Sequence, residues 1–166
     1  MTSRLVGAVT LALMLASPVG AAAQDLAFQL VGVWKQTGYV QKNLTTGETS
    51  KPQGENPGGM AIFSRGGHFT WIFIADGRKS PASMPAVTDA ERIALYSTGS
   101  YAGGTYKVNG DKVTFLYKAS FNQAWTGTER VQSMQVSDKV LTWTSAPYKT
   151  TDGKEVFATI TFERLE

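Results

Sequence analysis

Arg130 is the side chain in this sequence with the most to offer chemically. In the run Arg130-Val131-Gln132-Ser133-Met134-Gln135-Val136 it alternates with Gln132, Met134 and Val136, and strand residues two apart point to the same face. If Met134 and Val136 are core, a guanidinium points inward with them, and a buried cation needs a partner. Two partners stay open. An internal acid would make Arg130 a strut, whereas a ligand's carboxylate or carbonyl would make it an anchor.

Around it stands a large aromatic set: four Trp, six Tyr and eight Phe. Trp71, Phe73, Tyr101, Phe115, Tyr117 and Trp125 could line an apolar pocket, oriented by Arg130 and tyrosine hydroxyls. They could equally fill a solid core, as side chains do in small barrels. Other chemistry finds little support. His68 is the single histidine, framed by no nucleophile motif, and reads as a surface or rim residue. Of the thirteen acids, Asp76, Asp111, Asp138 and Asp152 sit in turn-like sequence, where local hydrogen bonds account for them. Glu129 and Glu163 adjoin Arg130 and Arg164, so one member of each pair faces inward, and a structural ion pair is the simplest reading. No catalytic residue, metal site or cofactor is expected.

Composition sets the outer limits. A chain of 166 residues, 42% apolar and 17% charged, suits a single globular domain. Without cysteine it has no disulfide, thiolate metal site or cysteine nucleophile. A net charge of +3 from scattered basic residues gives no stripe for nucleic acid.

The elements that must position Arg130 and the aromatics are strands. Val, Ile, Thr and aromatic runs alternate with Gly, Asn and Asp clusters. Strands are expected at 34–41, 60–64, 68–75, 101–108, 112–121, 130–136, 140–145, 146–149 and 155–163. Asn109-Gly110-Asp111 carries the Asn-Gly pair of tight hairpins. Thr88-Asp89-Ala90-Glu91 has capping-box spacing and predicts a helix ending near Gly99. Phe69, Trp71 and Phe73 alternate with Thr70, Ile72 and Ile74, so both faces of that strand carry apolar groups, and the helix is expected to cover its outer side. Val113, Phe115, Tyr117, Ala119 and Phe121 are expected on one face. Hairpin-linked strands with one short helix point to an all-β fold, a closed antiparallel barrel of about 8–10 strands before an open sandwich.

Residues 1–23 read as an export signal. Arg4 precedes the apolar run Leu5–Ala16, and Ser17-Pro18-Val19-Gly20 and Ala21-Ala22-Ala23 follow. Cleavage before Gln24 would leave residues 24–166 as the domain, periplasmic or secreted, with no membrane span after signal removal.

Leu30-Val31-Gly32-Val33-Trp34, just before the first strand, resembles the lipocalin signature. In that pattern the Trp plugs one barrel end and an Arg from the last strand lies across its indole; Gly32, Trp34 and Arg164 stand in those places. The blocks Asn56-Pro57-Gly58-Gly59-Met60-Ala61-Ile62-Phe63, Gly67-His68-Phe69 and Tyr101-Ala102-Gly103-Gly104-Thr105-Tyr106 extend the likeness. So do Trp125-Thr126-Gly127-Thr128-Glu129-Arg130 and Thr161-Phe162-Glu163-Arg164. Together they are similar to the bacterial lipocalin-like domain family. The resemblance implies an up-and-down lipocalin-like barrel with an interior pocket, and no single activity. The expected function is that of an exported, non-catalytic barrel binding a small hydrophobic or amphipathic molecule. The alternatives are a cyclase or isomerase acting inside the barrel, with Arg130 or a Tyr as stabiliser, or a solid-core interaction or inhibitor module working through loops 42–57 and 76–87. An apolar void of roughly 300 Å³ or more separates the first reading from the last.

Overall fold

Asn109-Gly110-Asp111 turns the chain back on itself as its sequence implies. Strand and tight turn alternate in the same way through most of the computed structural model, which describes residues 26–166. The export signal read at residues 1–23 and its cleavage site lie outside the described residues.

A helical turn at residues 26–30 leads into β1 (Gly32–Asn43), β2 (Thr49–Ser50), β3 (Gly58–Phe63) and β4 (His68–Ile74). Helix α1 (Asp89–Ser97) separates these from β5 (Gly99–Asn109), β6 (Lys112–Ser120), β7 (Glu129–Ser137) and β8 (Val140–Thr144). The two-residue β9 (Tyr148–Lys149) and β10 (Glu155–Arg164) complete the order. Eight strands pair antiparallel around a ring, β1-β3-β4-β5-β6-β7-β8-β10, and β10 returns to β1 through Trp34↔Arg164 to Asn43↔Val156. The fold is therefore a closed up-and-down barrel rather than a sandwich. Closure leaves the eight ring strands without free edges. Short β2 and β9 extend the sheet beside β1 and β10.

Alternation gives the barrel its inside. Phe69, Trp71 and Phe73 on β4 are buried, as are Val113, Phe115 and Tyr117 on β6. Leu141 and Trp143 on β8 and Ala158, Ile160 and Phe162 on β10 join them. Two bulges interrupt this rhythm. On β1 the register slips between Gln36 and Gly38, with Thr37 as the extra residue. Trp34 and Gln36 point inward before it, and Tyr39 and Gln41 point toward the interior after it. On β6 the slip falls at Lys118, opposite Gly103 and Gly104. It ends the alternation expected over 113–121: Ala119 is exposed, and Phe121 lies past the strand, packed on the core.

Helix α1 has the predicted capping box, with the Thr88 hydroxyl accepting from the Glu91 N–H and the Glu91 carboxylate accepting from the Thr88 N–H. It does not cover β4. No residue of α1 is buried, and Ile72 on the outer face of β4 is 43% exposed. Instead the helix leans on the barrel rim, where Tyr96 Oη donates to the Phe121 carbonyl at 3.1 Å and Arg78 donates to the Leu95 carbonyl at 3.0 Å. Ile72 on the outside of β4 therefore remains in solvent, while Ile74 is partly buried. No helix among the described residues is long and apolar enough to cross a membrane.

Candidate functional site

One end of the barrel is sealed. Trp34, fully buried at the start of β1, donates its indole N–H to the Leu30 carbonyl at 2.8 Å. The Arg164 guanidinium lies 4.1 Å from the centre of the Trp34 ring, a cation–π contact. Its two amino groups donate to the carbonyls of Val31, at 2.9 Å, and Gln29. Gly32 makes this possible. Its φ is +142°, and a Cβ there would stand 2.2 Å from the Glu166 carbonyl oxygen and 2.8 Å from an Arg164 nitrogen. Behind the plug the barrel is solid: Phe63, Phe69, Phe115, Met134, Leu141 and Phe162 pack without exposure to speak of.

Toward the other end lies a cavity of about 400 Å³. Trp71 and Phe73 of β4, Tyr117 of β6, Trp143 of β8 and Ala158 and Ile160 of β10 supply most of its apolar wall. Trp125 closes over it from a short 3₁₀ turn, Gln123–Trp125, in the β6–β7 connection. That connection is pinned by the Gly127 N–H to the Tyr117 carbonyl at 2.8 Å and the Tyr117 N–H to the Thr128 carbonyl at 3.1 Å. The rings form one continuous network. Trp71 stacks on Phe73 with centroids 4.4 Å apart, and Trp125 meets Trp71 at 6.5 Å, Tyr117 at 5.9 Å and Phe121 at 5.3 Å.

The polar groups divide into two arcs. On the β1 side Tyr39 and Tyr148 hydroxyls are 3.2 Å apart, Gln41 donates to the Tyr148 oxygen at 2.5 Å, and Gln36 donates to Gln53 at 2.7 Å. Burial foremost, then the neighbouring Tyr148, pushes the Tyr39 phenol well above its ordinary range. Across the ring, β7 brings Arg130 and Gln132 inward beside Tyr117, whose phenol is raised by burial while the Arg130 charge pulls the other way. Arg130 lies 4.4 Å from the centre of the Trp125 ring. Its Nε, the Trp71 Nε1 and the Gln132 Oε1 are buried without a hydrogen-bond partner among the described residues. No acid among the described residues lines the cavity.

Five of the seven expected site residues thus converge: Trp71, Phe73, Tyr117, Trp125 and Arg130. Two do not. Tyr101 pairs with outward Ile72 and is 56% exposed. Phe115 is fully buried in the solid half, stacked on Trp143 at 4.9 Å. The expected ion pairs are corrected as well. Glu129 and Glu163 face solvent, while Arg130 rests on Trp125 and Arg164 on Trp34 and backbone carbonyls. His68 is exposed at the start of β4 and does not line the cavity. Tyr39, Trp143 and Tyr148 were absent from the sequence set. Leu141 and Trp143 alternating with Thr142 and Thr144 could have revealed Trp143, and Gly38 marked the break that turns Tyr39 inward.

A second hollow of about 240 Å³ lies between the C-terminal end of α1 and residues 52–53. It shares Tyr39, Gln53, Ser100 and Phe121 with the main cavity, so these four side chains stand between the two spaces.

No curated protein sequence matches the chain. A family model described as a lipocalin-like domain matches residues 31–165, from the residue before Gly32 to the one after Arg164. The match takes in both ends of the plug and all eight ring strands, and the chain belongs to the lipocalin-like domain family.

Proposed function

We propose that this protein is an exported carrier or receptor that binds one small hydrophobic or amphipathic molecule inside the barrel and releases it unchanged. The observation that carries the reading is the cavity itself: about 400 Å³, walled by Trp71, Phe73, Trp143 and Ile160, with a few polar groups converging on it. That volume and mixture match small-molecule sites, which are mostly apolar with sparse polar groups for orientation. A hollow interior also speaks against a solid-core module acting through its loops.

The titratable lining favours binding over turnover. A general acid or base works best with a pKa near the operating pH. The lining residues that can ionise are Tyr39, Tyr117, Tyr148 and Arg130 among those described, and burial moves Tyr39 and Tyr117 further from neutrality. A periplasmic or secreted location rests on Arg4, the apolar run Leu5–Ala16 and the alanines 21–23.

Native mass spectrometry of protein purified from its source should show one bound small molecule. A fluorescent fatty-acid probe should be displaced by added ligand. A158F, which puts a ring into the cavity from β10, should abolish probe binding while the circular dichroism of the barrel persists. Absence of any bound species together with failure of the probe to bind would overturn the reading.

A further inference from the structure

The two arcs of polar groups differ in one respect that bears on ligand class. On the β1 arc Tyr39, Gln41 and Tyr148 satisfy one another and Gln36 donates to Gln53; what stays unpaired there is an acceptor, the Gln36 Oε1, on a residue outside the cavity lining. On the β7 arc donors are left unpaired. Arg130 makes no salt bridge with a described carboxylate, and its Nε is buried without a partner. The Trp71 indole N–H, on a residue only 4% exposed, makes no well-formed hydrogen bond either, although it lies close enough to the Tyr117 hydroxyl to favour that phenol's ionised form. A guanidinium keeps its charge throughout the ordinary pH range, and an unpaired cation facing an apolar cavity is costly.

Trp125 covers the face of the guanidinium at 4.4 Å, which leaves the planar edge, Nε with an amino group, for another partner. That edge presents two parallel N–H donors whose spacing matches the oxygens of a carboxylate. Trp71 also lies against Trp125, and its Nε1 is a donor only. Both donors thus ask for an acceptor; the Gln132 oxygen bonds to neither, and with no acid among the described lining residues a charged acceptor comes with the ligand. We propose that the ligand is an amphipathic carboxylate, its acid group held by the Arg130 edge and the Trp71 indole N–H. Its apolar body lies on Phe73, Trp143 and Ile160. The Gln132 oxygen, an acceptor, stands outside this clasp and faces the atoms beyond the acid. The inference rests on the cavity being a ligand site and adds the headgroup that this site selects.

Isothermal titration of the intact protein with dodecanoate, 1-dodecanol and dodecyltrimethylammonium tests it. The three share a chain and differ in headgroup. Dodecanoate should bind at least about tenfold tighter than dodecanol, as expected for hydrogen bonds to a charged group, and the cationic amphiphile weakest of all. R130Q should bring dodecanoate and dodecanol to within about twofold, and W71F, which keeps a ring but removes the N–H, should weaken dodecanoate alone. Equal affinity for all three in the unmutated protein overturns the carboxylate clasp and leaves the cavity reading standing. No binding by any of them overturns both. The unmutated comparison decides even if a variant fails to fold.

Discussion

Arg164 and Arg130 are both inward arginines stacked on tryptophan, and their surroundings separate their roles. Arg164 has its donors satisfied by the Val31 and Gln29 carbonyls, so it is part of the seal. R164M keeps the aliphatic bulk but removes the cation–π contact and these hydrogen bonds. It should lower stability by about 2–4 kcal/mol, read as a shift in the urea midpoint. Tyr39 gives a prediction in pH. Its folded pKa lies above the ordinary 10, so above pH 10 the unfolded chain loses a proton that the folded one keeps. Stability is full below pH 10 and should then fall by about 1.4 kcal/mol per pH unit for each such phenol. Tyr106 and Tyr117 are raised by burial too, and urea titrations at pH 9–11 should show Y39F with a shallower decline than the parent. Arg130 was legible as inward because Met134 lies on the same face. Tyr101 was not legible as outward, because its facing depends on pairing with Ile72 in a strand about 30 residues away.

At the scale of elements, the bulges explain what simple alternation missed. One extra residue reverses the facing of everything beyond it on a strand, so Tyr39 enters the cavity and Ala119 leaves the interior. Gly104 permits the second bulge: a Cβ there would stand 2.0 Å from the Leu116 carbonyl oxygen and 2.9 Å from the Lys118 nitrogen. G104A should therefore cost about 2–4 kcal/mol, whereas G66A, whose nearest neighbour is the His68 ring at 3.6 Å, should stay within about 0.5 kcal/mol. Thermal melts of the two variants make the comparison. Helix α1 was predicted correctly in place and cap, since a capping box is local chemistry. Its docking was not, because nothing within Thr88–Gly99 records which surface it meets. With no buried residue, α1 should exchange its amide hydrogens through local opening, well before β1 and β10, as hydrogen-exchange mass spectrometry would show.

For the whole molecule, the division into a solid half and a hollow half decides what can be read from sequence. Trp34 and Arg164 announced the sealed end because two separated residues carry a specific physical contact. The hollow had no such marker. Whether aromatic rings fill space or surround it depends on strand tilt and on which connections fold over the opening, as the 123–125 turn does with Trp125. The pairing of β1 with β10 has a consequence in time. The first ring strand waits for its second neighbour until the last one has been synthesised, so a nascent chain halted before β10 carries two raw margins and an uncorked base. Such a product has every reason to aggregate through its open strand edges. Completion and sealing of the barrel thus arrive together, once β10 is available to pair with β1.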